Sequence, residues 1–121
     1  MRTALSLAQR GLGNTWPNPA VGCIIVKNNR VVGRGWTQPG GRPHAETEAL
    51  DRAGEYARGA DVYVTLEPCG HHGQTPPCTD ALIKAGVKQV FVAVMDPDAR
   101  VSGAGISKLE AAGIDVTAGL L

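Results

Sequence analysis

Four residues of this 121-residue sequence have the types and spacing to hold a metal and move a proton: His44, Glu46, Cys69 and Cys78. His44 and Glu46 stand in Arg42-Pro43-His44-Ala45-Glu46, where a helical pattern begins. Cys69 and Cys78 sit in Glu67-Pro68-Cys69-Gly70-His71-His72-Gly73-Gln74-Thr75-Pro76-Pro77-Cys78, a Pro/Gly-rich loop that leads into another helical pattern. Imidazole nitrogen and thiolate sulfur are donors that zinc takes readily. Three protein ligands leave one tetrahedral position open, as catalytic zinc sites do. A helix N-terminus helps keep a cysteine ionised. Glu46 lies two residues from His44, too close to be a fourth ligand with good geometry but near enough to reach water at the open position. A carboxylate there can take a proton from water and hand it to a leaving amine. The expected metal ligands are therefore His44, Cys69 and Cys78, the expected proton carrier is Glu46, and the expected cofactor is Zn2+.

Each feature has a plainer explanation when taken singly. His-x-Glu is common on protein surfaces, and two loop cysteines can be structural or form a redox pair. Asn18, in Pro17-Asn18-Pro19, can be a turn residue, and His71 and His72 can face solvent. A closed structural zinc site would need His71 or His72 as its fourth ligand. The combination favours catalysis. Zinc nucleobase deaminases carry His-x-Glu followed by Pro-Cys-x-x-Cys, with the glutamate outside the ligand set. His44-Ala45-Glu46 and Pro68-Cys69 fit that pattern; the second cysteine does not, because eight residues rather than two separate Cys69 from Cys78.

The elements that must position these groups follow from periodicity and turn chemistry. Apolar residues at Ala4, Leu5, Leu7 and Ala8 predict a helix over 2–10, stopped by Gly11 and Gly13. The β-branched run 20–26 and the run 31–36, joined by Lys27-Asn28-Asn29-Arg30, predict a β-hairpin. A helix is expected over 44–57, strands over 60–66, 87–95 and 114–117, and helices over 78–85 and 105–112. The order α-β-β-α-β-α-β-α-β predicts an α/β fold. It is a three-layer α/β/α sandwich with a mixed five-stranded sheet, in which the later strand–helix–strand units pair in parallel. Such a sheet collects its site at the carboxyl ends of the strands.

Composition narrows the function classes. The net charge is +1, from 12 basic and 11 acidic residues, and aromatics make up 4%, so neither a basic footprint for nucleic acid nor stacking platforms stand out. No apolar run reaches the length of a membrane span, and the N-terminus lacks the pattern of a signal peptide, so a cytoplasmic location is expected. Of the three cysteines, Cys23 lies in an apolar run and reads as an ordinary buried residue.

The long cysteine loop resembles the deaminase domain of the bifunctional riboflavin-biosynthesis deaminase/reductase, in the cytidine deaminase-like superfamily. So do Pro17-Asn18-Pro19-Ala20-Val21-Gly22-Cys23, Pro43-His44-Ala45-Glu46 and Asp96-Pro97-Asp98-Ala99-Arg100-Val101-Ser102-Gly103-Ala104-Gly105. The resemblance implies a cytidine deaminase-like fold over residues 1–121 and deamination of 2,5-diamino-6-ribosylamino-4(3H)-pyrimidinone 5′-phosphate to the 5-aminouracil product and ammonia. It assigns zinc to His44, Cys69 and Cys78, proton transfer to Glu46, and contact with the phosphorylated pyrimidine to Asn18, His71, Gln74, Asp96 and Asp98. It also implies a homo-oligomer. Three positions depart from the family's habit: Gln74 replaces a Lys or Arg, Asp98 an Asn, and Thr37 a His found in many members. The change at 74 removes a phosphate contact, leaving Arg42 or Arg100 as the candidate cation. The family's enzyme continues into an NADPH-dependent reductase domain. No dinucleotide motif occurs in these 121 residues, so one deaminase domain without the reductase is expected. Two alternatives stay open. One is deamination of another base (cytosine, adenine or guanine, free or in single-stranded nucleic acid); the other is a non-catalytic zinc-binding assembly module.

Overall fold

The sheet starts from a tight turn. In the computed structural model, which describes residues 1–13, 20–39, 42–70, 78–95 and 103–119, strands β1 (Gly22–Lys27) and β2 (Arg30–Trp36) pair antiparallel. Asn28 and Asn29 between them have φ of 53° and 64°, the left-handed pair that a two-residue hairpin turn requires and asparagine tolerates. Lys27 faces Arg30, and the register shifts once, between Ile25 and Val26.

Strand β3 (Asp61–Leu66) pairs antiparallel with β1, and β4 (Gln89–Val94) and β5 (Asp115–Ala118) continue in parallel, giving the order β2-β1-β3-β4-β5. Parallel neighbours need crossovers. Helix α3 (Cys78–Ala85) joins β3 to β4, and α4 (Ala104–Ala111) joins β4 to β5. With α2 (Ala45–Ala53), which joins β2 to β3, they advance in one direction across the sheet, so right-handed crossovers put all three on one face. Their side chains share one core with alternate strand residues: Ala45, Ala49, Leu82 and Leu109 pack with Cys23, Ile25, Val62, Val64, Val90 and Val92. Helix α1 (Arg2–Gln9) covers the opposite face, where Ala4 and Leu7 meet Ile24, Trp36 and Tyr63. The expected three-layer sandwich and mixed five-stranded sheet are therefore observed. Among the described residues no helix is long and apolar enough to cross a membrane.

Two features set α2, which carries His44 and Glu46. Ala45, Ala49 and Ala53 recur every four residues and form a buried, small-residue stripe. Gly33 and Gly35 of β2 lie beneath it. A Cβ on Gly35 would overlap the Ala45 carbonyl oxygen and stand 2.7 Å from Ala49 N, so the helix rests directly on strand backbone. The helix is also shorter than the 44–57 expected. Gly54 takes φ 57°, and the chain continues as a 3₁₀ turn over Gly54–Ala57. The periodicity ran on because Ala57 is buried as well, through the turn rather than through a fourth helical residue in the stripe. Thr37 stands just past β2; it is 2% exposed, its Oγ1 accepts from Val21 N–H at 2.9 Å, and its own N–H donates to the Val21 carbonyl. It thus extends the hairpin beyond the strand ends.

Gly35→Ala forces helix and strand apart at the residues that precede the site. The expected loss is roughly 3 kcal/mol, the upper end for overpacking. It should show in the denaturant midpoint and exceed the loss at the exposed Gly13, where nothing stands near the missing Cβ and alanine meets only the backbone strain of φ 83°, roughly 1 kcal/mol.

Candidate metal and proton-transfer site

Two helix starts meet beside the carboxyl end of β3. His44 is the residue before α2, extended at φ −69° and ψ 162°, and it follows a cis Arg42–Pro43 bond. Cys78 is the first residue of α3, and Cys69 lies in the segment leaving β3. Their ligand atoms all lie within 4.8 Å of one another. His44 Nδ1 is 3.2 Å from Cys78 Sγ, Cys78 N–H donates to Cys69 Sγ at 3.2 Å, and Thr79 N–H donates to the Cys69 carbonyl at 3.2 Å. The start of α3 therefore holds Cys69 through both its sulfur and its backbone. This is the favourable place for an anion, since unpaired N–H groups and the helix dipole converge there.

Glu46 sits in the first turn of α2, 4% exposed. Burial pushes its carboxyl from the ordinary 4.5 up to about 7 and Cys69 adds to the rise, while a hydrogen bond from its own backbone N–H, then His44 and a hydrogen bond with Cys78, oppose it. The two thiols are split by the hydrogen bond between them. Cys78 donates to Cys69, which brings Cys69 down to about 4, with His44 assisting against burial, while the same bond and burial raise Cys78. His44 is raised above 6.5, chiefly by its hydrogen bond to Cys69. Cys23 is fully buried, and burial raises its thiol further. It is a core residue, as its apolar surroundings in the sequence suggested.

The donor set fits zinc. Ligands about 2.0–2.3 Å from a common tetrahedral centre stand roughly 3.5 Å apart. The three groups span that range, with one pair at 3.2 Å and the others within 4.8 Å. Two sulfurs and one imidazole are a soft set suited to that metal. Among the described residues this is the group of histidine, cysteine and acidic side chains close enough to hold an ion. Glu46 is not in it. The structure thus brings His44, Cys69, Cys78 and Glu46 together as the sequence predicted. Asn18, His71, Gln74, Asp96 and Asp98, expected at the substrate, lie outside the described residues, as does Arg100. Arg42 is partly buried next to the site.

Sequence reasoning passed over Glu67. It is 6% exposed, its N–H donates to the Val94 carbonyl, and its carboxylate accepts from the N–H groups of Gly103 and Gly105 at 3.0 Å. The available signal was an acid between Leu66 and Pro68 at the end of a buried strand, a position where charge needs partners.

Fold and site together define a zinc deaminase of the cytidine deaminase-like class. The family model for the cytidine and deoxycytidylate deaminase zinc-binding region matches residues 1–94. The riboflavin biosynthesis protein RibD of Escherichia coli is 58% identical over 121 residues, all of this chain and 33% of that protein. The diaminohydroxyphosphoribosylamino-pyrimidine deaminase of Buchnera aphidicola from Acyrthosiphon pisum is 52% identical over 121 residues, all of this chain and 82% of that protein. A solved structure of Acinetobacter baumannii RibD superposes with a TM-score of 0.96 at 54% identity, over 98% of this chain and 34% of that one. This chain therefore belongs to the cytidine and deoxycytidylate deaminase family, in the branch of the diaminohydroxyphosphoribosylamino-pyrimidine deaminases. It spans about a third of the length of the first curated relatives it matches.

The buried carboxyl has a measurable signature in metal-free protein. A group whose folded pKa is raised contributes stability below its unfolded pKa and loses it as pH rises through the folded value. Glu46, at about 7 against 4.5, therefore destabilises the fold progressively across that interval. Cys69, lowered to about 4, acts in the opposite direction over an overlapping range. The share due to Glu46 is thus read by difference. In chelator-treated protein, Glu46→Gln should gain on the native chain by roughly 3 kcal/mol between about pH 5 and about pH 8, measured by denaturant unfolding.

Proposed function

We propose that residues 1–121 form one zinc-dependent deaminase domain that hydrolyses the exocyclic amino group of a phosphorylated ribosylaminopyrimidinone. The product is the corresponding aminouracil phosphate, and ammonia is released. The observation that carries the chemistry is Glu46, 4% exposed in the first turn of α2 beside three metal donors. A structural zinc site has no use for a buried carboxylate there. The substrate class rests on the 52% identity to the Buchnera deaminase across 82% of its length.

His44, Cys69 and Cys78 would hold the zinc, which when bound supplies Lewis acidity that activates water at neutral pH. Glu46 takes a proton from the attacking water and carries it to the departing nitrogen. The water oxygen adds to the carbon of the ring C=N bond, whose electron pair moves to the ring nitrogen and takes the other water proton; the carbonyl forms as the exocyclic carbon–nitrogen bond breaks and ammonia leaves. The surroundings of Glu46 suit both halves of its transfer. Burial raises its carboxyl above the ordinary value, which eases return of the proton to the leaving nitrogen, while the charge of a bound zinc would favour the carboxylate that first accepts it. The contacts proposed for the pyrimidine and its phosphate are Asn18, His71, Gln74, Asp96 and Asp98, with Arg42 as a nearby cation.

Glu46→Gln tests the role directly. The variant should bind zinc one-to-one, fold normally and lose about 10²–10⁴-fold in kcat. Ammonia release from a panel of the ribosylaminopyrimidinone phosphate, cytidine, guanine and single-stranded DNA should be confined to the first. Activity restricted to cytosine in DNA would overturn the substrate class while leaving the zinc chemistry standing. Self-association is proposed through the α2–α3 side, where Leu50, Ala81 and Ala85 are only partly buried. Sedimentation equilibrium should accordingly give a mass above that of one chain.

A further inference from the structure

We propose that Glu67 is a positioning residue for the metal site, acting through α4 on the turn that carries Cys69; the proposal rests on the assignment of His44, Cys69 and Cys78 as metal ligands. Glu67 leaves β3 two residues before Cys69 and is fastened on two sides. Its N–H donates to the Val94 carbonyl at 2.9 Å, where β4 ends. Its Oε1 accepts from Gly103 N–H at 3.0 Å, and its Oε2 accepts from Gly105 N–H at 3.0 Å and Ile106 N–H at 3.4 Å, where α4 begins. One residue thus holds both ends of the β4–α4 connection against the strand that delivers Cys69.

The start of α4 is in turn pressed against the cysteine turn. A Cβ on Gly105 would overlap the Pro68 carbonyl oxygen and stand 3.3 Å from Glu67 Oε2. A Cβ on Gly70 would stand 3.1 Å from Gly105 Cα and N. Residues on both sides of Cys69 therefore lie in backbone contact with the first turn of α4. The far side of Cys69 is held by α3, through Cys78 N–H and Thr79 N–H. The Lys108–Asp80 ion pair at 2.8 Å joins the two helices. The cysteine turn is enclosed between two helix starts, and the Glu67 carboxylate fastens one of them. Groups outside the ligand set that orient a ligand commonly change metal affinity by about 10–100-fold when removed.

Glu67→Gln keeps the volume but replaces one carboxylate oxygen by an NH₂ group, which faces a backbone donor. Zinc affinity by chelator competition should fall about tenfold or more. The sulfur-to-cobalt charge-transfer bands of the cobalt-substituted variant should shift relative to the native chain. A folded Glu67→Gln protein with native zinc affinity and native cobalt bands, whatever its Tm, would overturn the proposal. If that variant does not fold, amide exchange on the native chain decides, because coupling between two sites is reciprocal. Removing zinc should then speed exchange at Gly103, Gly105 and Ile106 while Ile24 in β1 keeps its protection. Unchanged exchange at those three amides would overturn the proposal. A native chain that binds no zinc would overturn the ligand assignment itself, and this proposal with it.

Discussion

Helix α2 lies on β2 with nothing larger than a Cβ between them at Gly33 and Gly35, and the position of the chemistry follows from that contact. Gly33 and Gly35 remove the strand's side chains where Ala45 and Ala49 keep the helix's to a single methyl. The helix axis is thereby fixed to within the tolerance of backbone packing, and protein interiors yield little to change in that tolerance. His44, just before the helix, and Glu46, in its first turn, inherit that precision. A metal ligand and a proton carrier on one rigid start keep their separation without help from each other. The other two donors come from β3 and α3, so the site is complete only when the sheet has brought three elements together.

The same packing produces the electrostatics. Glu46 is buried because α2 is, and burial is the main cause of its raised pKa. Cys69 is lowered because the neighbouring thiol and the N-terminus of α3 donate to it. Without a cation, the site places an ionised sulfur near a carboxyl that resists ionisation. A bound divalent metal reverses that penalty, drawing both thiols to the thiolate form and favouring the carboxylate. The metal-free fold thus carries unfavourable charge interactions that metal binding relieves, so folding and metal affinity are linked at this site.

Much of this was legible in the sequence. The hairpin was readable because two adjacent asparagines suit a turn that needs positive φ at both positions. The β3-α3-β4-α4-β5 succession was readable because valine-rich runs alternate with helical patterns closed by glycines. His44, Glu46, Cys69 and Cys78 were readable because few other chemistries use that set at that spacing. The end of α2 was not: an alanine pattern continued past Gly54, and only the backbone shows that Ala57 is buried from a 3₁₀ turn. Glu67 was not, since its partners are backbone N–H groups more than thirty residues away, which no local pattern records. The close approach of Gly105 to Pro68 escaped for the same reason.

X-ray absorption at the zinc edge of the metal-loaded native chain tests the central claim most directly. The account predicts one zinc with two sulfur ligands, one imidazole and a fourth light-atom position that no protein group fills. A shell closed by a second imidazole or a third sulfur would contradict it, since no open position would then remain beside Glu46.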